Sequence, residues 1–183
     1  MKILTTLAIC FSFFCKSYAT EQEDMPQMYY PIYCHQLVAF TCLGDEVEIE
    51  DSSLWEVNPA DSHKVFLWSS KDPLVFYPER NIFSNYNYKV KNLSTKEIVD
   101  LNLKKAPLDT ENTLKIVSLD YENNEVELSD ESTWKVNLRD TNYKDWLVGD
   151  FIIVGLNETS IFSSDKFILI NTSLNNYARV NLK

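Results

Sequence analysis

Short segments in which apolar and polar residues alternate account for most of this chain. Apolar residues occupy every second position around 47–49 and 126–128, and again in the two segments that end at Leu103 and Leu182. A period of two is typical of strands with one buried face. Two runs, DPLVFYP and DFIIVGL, are continuously apolar after an aspartate and predict more deeply buried strands. No long segment has a period of 3.6, so the pattern does not predict a helical domain.

The alternating pattern occurs twice. VEIEDSSLWEV at 47–57 and VELSDESTWKV at 126–136 are separated by 79 residues. Trp68 then aligns with Trp146 at a separation of 78, and the last segments of the two halves align again at 79. A chance match would not return to register after losing one residue. We therefore interpret the chain as a tandem duplication.

Each repeat predicts about six short strands, with one short helical or 3₁₀ segment after the third. A unit of about 70 residues with this pattern suits a small β-barrel, OB-like or SH3-like in character. We predict an all-β protein of two tandem small β-barrel units, the first at 35–104 and the second at 113–183. The linker at 105–112 is short, polar and contains proline, so we expect the two barrels to pack together.

The beginning of the chain has a different composition. Lys2 precedes an apolar run of 13 residues, and Ser17 and Ala19 follow as small residues before a cleavage point. This is the layout of a secretory signal peptide, and the run is shorter than the roughly 20 residues of a spanning helix. We predict a signal peptide at 1–19, cleaved near Ala19, and an N-terminal extension at 20–34. The mature chain would be secreted or periplasmic.

Cleavage makes an acidic chain more acidic. It removes two of the 17 basic residues and none of the 27 acidic ones, which leaves a net charge of −12. Such a chain repels phosphate backbones and anionic lipids, so we expect neither nucleic-acid binding nor electrostatic docking on a membrane. Since no second apolar stretch of spanning length follows the first, we also expect no stable membrane insertion. We predict an exported, non-catalytic protein that binds a protein or peptide at the cell envelope or outside the cell. We expect no cofactor, and the oligomeric state is left open.

The repeated phrase itself predicts structure. Asp51 and Asp130 stand between two strand segments, where Asp and Ser commonly hydrogen-bond the backbone of a turn. Trp55 and Trp134 follow on a buried face, so we expect all four residues to be structural anchors. The alternative is an acid-dependent hydrolase that uses Asp or Glu. It requires a pocket with converging acids in unequal environments, which duplicated turns on separate barrels would not naturally form.

Two further tryptophans, Trp68 and Trp146, are candidates for binding. Each precedes the aspartate that opens a continuously apolar strand segment. They either seal the crossing segment over the end of a barrel or, if exposed, serve as recognition aromatics.

Cys34, His35 and Cys42 suggest a third possibility, a metal or redox site. Cys34 and Cys42 lie in a segment predicted to be a strand, where an extended chain would hold their Cα atoms about 26 Å apart. A disulfide needs less than about 7 Å, so a bridge requires the chain to bend back. The sequence leaves open a disulfide or two unbridged thiols. The spacing matches no closed zinc pattern, and the second repeat has Leu114 where the first has His35.

Overall fold

A computed structural model of the chain describes residues 31–157 and 164–183. These residues form two closed antiparallel barrels of six strands each, with almost no helix. The prediction of an all-β protein built from two tandem small barrels is therefore confirmed. The predicted signal peptide at 1–19, and residues 20–30 of the extension, lie outside the described residues.

The two barrels have the same strand order. In the first barrel the strands are β1 His35–Phe40, β2 Glu46–Ile49, β3 Leu54–Val57, β4 Pro73–Pro78, β5 Tyr88–Asn92 and β6 Ile98–Lys105. In the second they are β7 Leu114–Asp120, β8 Glu125–Leu128, β9 Thr133–Val136, β10 Phe151–Leu156, β11 Phe167–Asn171 and β12 Asn176–Leu182. Neighbours around the first barrel run β1-β2-β3-β6-β5-β4, and those around the second run β7-β8-β9-β12-β11-β10.

A short crossing segment follows the third strand of each barrel, as the sequence predicts. It is one helical turn in the first barrel, α1 at Ser62–Val65, and a 3₁₀ turn at Asn142–Asp145 in the second. Both segments have only four residues, which is too short for a helix to be stable without tertiary packing. Val65 and Tyr143 supply that packing, because each buries its side chain against a barrel core.

Tryptophan fills the interior of each barrel. Trp55 and Trp134 are both fully buried, and their partners are aromatic. The ring of Trp55 lies 4.7 Å from that of Phe76 and 5.6 Å from that of Tyr88. Trp134 lies 5.3 Å from Phe167, which is the counterpart of Tyr88 in the second repeat. Aromatic pairs at such distances add to the stabilisation that burial alone provides.

The two barrels share a packed surface, which we call the inter-barrel interface. Ile153, Ile168 and Ile170 of the second barrel pack into the same cluster as the core of the first. On β10, Ile152 and Val154 lie on either side of Ile153 and face the core of their own barrel. This arrangement explains why the run that forms β10 is continuously apolar, because neighbouring residues are buried against different barrels.

The segments before and between the barrels are also held in place. Ile32 and Tyr33 precede the first barrel but pack against the core of the second, where the ring of Tyr33 lies 5.9 Å from that of Phe167. In the linker, the backbone N–H of Leu108 donates a hydrogen bond to the carbonyl oxygen of Asp51 at 3.2 Å. The barrels therefore pack as one body through their interface and both connecting segments.

Candidate functional site

The repeated phrase forms the same hydrogen-bonded turn in both barrels. The backbone N–H of Ser53 donates to Oδ1 of Asp51 at 2.8 Å, and Nε1 of Trp55 donates to the Ser53 hydroxyl at 2.8 Å. The second copy has both bonds, at 3.1 Å to Asp130 and at 2.8 Å from Trp134. The turn thus satisfies the one polar atom of a buried indole ring, which would otherwise be costly to bury.

The two turn carboxylates have different surroundings. Asp51 is buried beside Glu50 and His35, and burial raises the pKa of its carboxyl group. Asp130 is exposed and lies in a concavity of the second barrel. Because the neighbours of one are not the neighbours of the other, the structure does not bring the two aspartates together as a catalytic pair.

Both candidate binding tryptophans lie inside the protein. Trp68 is 4 % exposed and Trp146 is fully buried. The Nε1 of Trp146 donates to Oδ1 of Asn176 at 2.7 Å, whereas Nε1 of Trp68 has no hydrogen-bond partner within the described residues. Neither ring has the exposure that a recognition aromatic needs. Each belongs to the buried core cluster of its barrel, so its indole face is not open to a partner.

The structure does not assemble Cys34, His35 and Cys42 into a metal site. Both thiols are free, and β1 separates them as an extended strand. Nδ1 of His35 lies 2.7 Å from Oε1 of Glu50, and its Nε2 lies 2.9 Å from the carbonyl oxygen of Val154. No set of three or more His, Cys, Asp or Glu side chains could hold a metal ion in the part of the chain that the structure describes. Both nitrogens of the imidazole already have partners, so the three side chains are not arranged as a metal site within the described residues.

An acidic concavity of about 770 Å³ lies on the second barrel. Its carboxylates come from β7, β8 and the repeated turn, and they are Asp120, Glu125, Glu127, Asp130 and Glu131. Glu125 is ion-paired with Lys183 at 2.9 Å, and the first barrel has the equivalent pair between Glu46 and Lys104. This ion pair is thus part of the duplicated barrel.

One acid of this concavity, Asp120, does not have the raised pKa of a general acid. Hydrogen bonds from Asn123 hold the pKa of Asp120 below its usual range. A catalytic general acid needs the opposite shift, so that it still carries a proton near neutral pH. An acidic concavity of this kind attracts cations. Its geometry does not identify one carboxyl group as a proton donor and another as a proton acceptor.

The loop between β4 and β5 presents two apolar side chains to solvent. Ile82 and Phe83 are each 88 % exposed. They occupy the central positions of a turn in which the backbone N–H of Ser84 donates to the carbonyl oxygen of Asn81 at 2.9 Å. The Asn81 side chain accepts a second bond, from the backbone N–H of Phe83, at 3.1 Å. Central turn positions usually hold Pro, Asn, Asp or Gly, so an adjacent Ile and Phe are unusual there.

A groove of about 300 Å³ opens beside this turn, between the two barrels. We call it the inter-barrel groove. Its walls include three tyrosines and five asparagines, and Ile82 lies on its rim. Within the described residues, the side-chain amides of Asn87 and Asn175 make no hydrogen bond to the protein. The one carboxylate of the groove, Glu79, is ion-paired with Lys89 at 2.8 Å. The groove therefore offers neutral donors and acceptors next to an apolar pair.

The prediction from sequence missed this turn, although the duplication marks it. Ile82, Phe83 and Ser84 recur as Ile-Phe-Ser at 161–163, at the same separation of 79 residues as the repeated phrase. The second copy lies outside the described residues. The residues on either side differ between the two copies. The three identical residues are therefore noticed only when the two repeats are aligned along their whole length.

No helix in the described ranges is both long and apolar enough to cross a membrane.

Comparison with protein-family models, with curated proteins and with solved structures finds no match to this chain. Its chemistry must therefore be inferred from the geometry of the two barrels and the groove between them.

Proposed function

We propose that this is an exported, non-catalytic protein that binds a peptide segment of a partner protein in the inter-barrel groove. Ile82 and Phe83 would be its apolar anchors. The observation that carries the proposal is that both side chains are 88 % exposed at the centre of a hydrogen-bonded turn. Apolar groups held outward in this way mark interaction sites, because they gain stability only when a partner covers them.

The groove beside the turn suits the backbone of a peptide. A side-chain amide both donates and accepts, as does each peptide unit, so Asn87 and Asn175 can pair with either group of an extended segment. The Tyr86 and Tyr177 rings add apolar surface with a polar edge. Since Glu79 is neutralised by Lys89, the groove favours an uncharged segment.

The predicted signal peptide and the acidity of the chain support the remainder of the proposal. A signal peptide would deliver the protein to the cell envelope or outside the cell, where partner proteins present exposed segments. The excess of 27 acidic over 17 basic residues would speed the approach of basic partners. It would also oppose binding to nucleic acid.

The test is a selection from a displayed random-peptide library, followed by affinity measurement. Peptides selected on the wild-type chain should lose about a hundredfold in affinity for a variant with Ile82→Ser and Phe83→Ser. Each apolar side chain covered in a complex contributes about 1.5–3 kcal/mol, so this is a modest estimate for two. A matched control carries Leu138→Ser and Leu147→Ser, which are 78 % and 67 % exposed on the second barrel. It should bind as the wild type does.

Melting temperatures check that both variants remain folded, which the exposure of all four side chains predicts. In the complex, amide NMR signals of Asn87 and Asn175 should shift. The proposal is refuted if the selection yields no peptide, or if selected peptides bind equally well to the variant without Ile82 and Phe83.

A further inference from the structure

His35 connects the two barrels through both nitrogens of its imidazole ring. It begins β1 in the first barrel and is 6 % exposed. Nδ1 lies 2.7 Å from Oε1 of Glu50, in the first barrel, and Nε2 lies 2.9 Å from the carbonyl oxygen of Val154, in the second. A carboxylate and a carbonyl oxygen can only accept hydrogen bonds. The ring can therefore satisfy both partners only by donating from both nitrogens, which requires the protonated imidazolium form.

We propose that His35 is a pH-sensitive link that stabilises the inter-barrel interface while its ring is protonated and weakens it when the proton leaves. A neutral imidazole has one N–H group, so one of its nitrogens would turn a lone pair towards an acceptor oxygen. Either Oε1 of Glu50 or the Val154 carbonyl would then lose its donor, while Oε2 of Glu50 keeps its bond from the backbone N–H of Gln36. Leaving a buried polar group unpaired costs free energy that the protonated state does not lose.

The groups around His35 all favour the protonated ring or are uncharged. The charged ones are Glu50 and Asp51, both from the turn between β2 and β3. From β4, the ring of Phe76 packs edge-on at 5.5 Å, and β10 provides the Val154 carbonyl. The neighbouring thiol of Cys34 has its pKa raised by burial and by Glu50.

These surroundings set the pH range of the link. Burial alone would lower the pKa of His35, but Glu50 and the Val154 carbonyl outweigh it and raise the pKa from 6.5 to about 8. The pKa of Glu50 falls in turn, since the nearby His35 outweighs the effect of its burial. A group whose pKa is higher in the folded than in the unfolded state contributes its full stabilisation of the fold when the pH is below the unfolded pKa. The contribution is then lost as the pH rises from about 6.5 through about 8.

The duplication provides a matched reference for this residue. The second repeat has Leu114 at the position of His35, and Leu114 packs against the core of its own barrel. His35→Leu thus places in the first barrel a side chain that the barrel fold accepts at this position. The chain has only two histidines, so the other, His63, can be replaced by the Asn that its counterpart position holds.

The test combines histidine NMR with melting curves between pH 5.5 and 9.5. In the His63→Asn variant the remaining imidazole signal should titrate near pH 8. The melting temperature of the wild type should fall by about 4–8 °C more than that of His35→Leu as the pH rises from 6.5 to 9.

Two results would overturn the proposal. One is an imidazole that titrates at or below pH 6.5, and the other is a wild-type melting curve whose pH dependence matches that of His35→Leu. If His35→Leu does not fold, the titration of His63→Asn decides the question alone. A midpoint near pH 8 then supports the link, and one at or below 6.5 refutes it.

Discussion

Gly155 in β10 is the position where adding a single methyl group should most directly disturb the inter-barrel interface. A Cβ atom there would lie 2.7 Å from the carbonyl oxygen of Phe76 in the other barrel and 2.9 Å from Cγ1 of Ile168. Cβ atoms essentially never approach other heavy atoms within 3.0 Å. Its φ lies outside the left-handed region, so the cost of Gly155→Ala is steric rather than conformational.

The size of the effect follows from which neighbour can move. The Ile168 side chain can rotate, but the Phe76 carbonyl belongs to β4, whose residues 74–78 pair with β5. Reaching ordinary contact at 3.4 Å requires this carbonyl to retreat by about 0.7 Å, which moves the barrels apart. Overpacking of this kind typically costs 1–3 kcal/mol, or about 2–12 °C in melting temperature for a chain of this length.

Thermal melting followed by circular dichroism measures this change, and two further variants separate its causes. Ile168→Val in the Gly155→Ala background should restore little of the stability, because it removes the Cδ1 atom at 3.2 Å but leaves a γ carbon and the Phe76 carbonyl in contact with the new methyl group. Gly149→Ala tests a glycine with open space around it, and its cost should come from a backbone φ of +95°. If Gly155→Ala melts within about 1 °C of the wild type, the barrels do not approach as closely as the structure has them.

Two more predictions concern the cores and the cysteines. Trp55→Ala and Trp134→Ala should each lower the free energy of unfolding by about 3–5 kcal/mol in denaturant titrations. A loss below 1 kcal/mol in either variant would contradict its place in the core. Alkylation at pH 8, followed by mass spectrometry, should modify the exposed Cys42 about tenfold faster than Cys34, since burial and Glu50 raise the pKa of the Cys34 thiol. Equal rates would be inconsistent with this difference.

The sequence predicts the fold well because the barrels are built from local patterns. Strand β8 at Glu125–Leu128 and the turn after it follow from alternation and from the turn preference of Asp and Ser. The duplication then predicts a second barrel like the first. Barrel closure is harder to predict from the sequence, because β1 and β4 pair through residues that lie nearly 40 positions apart.

Some turns could not be predicted from the sequence, because they hold residues in backbone conformations that those residue types do not favour. Ser52 and Glu131 occupy the left-handed region at φ of 66° and 68°, a conformation that usually favours Gly or Asn. Lys71 and Lys96 do so as well, at 71° and 68°. With three glycines in the chain, the strand pairings impose these conformations on residues that do not prefer them.

The candidate site depends on contacts between the repeats, and sequence patterns within one repeat cannot predict such contacts. In the sequence, His35 beside Cys34 suggests a metal ligand. In the structure, its Nε2 is hydrogen-bonded to the Val154 carbonyl of the second barrel. The sequence leaves open that Trp68 is a surface aromatic, but its side chain is buried in the core cluster of the first barrel. For His35 the deciding neighbour is 119 residues away along the chain.

The duplication itself distinguishes structural residues from functional ones. The barrel fold explains most residues that both repeats share. The tryptophans fill the cores, the aspartates accept hydrogen bonds in turns, and the Glu–Lys pair joins neighbouring strand ends. Ile82 and Phe83 have no such explanation, because 88 % of each side chain faces solvent and the barrel would fold without them. A shared apolar pair that the fold does not need is best explained by binding. For this reason we propose binding at this turn rather than at the more visible acidic concavity.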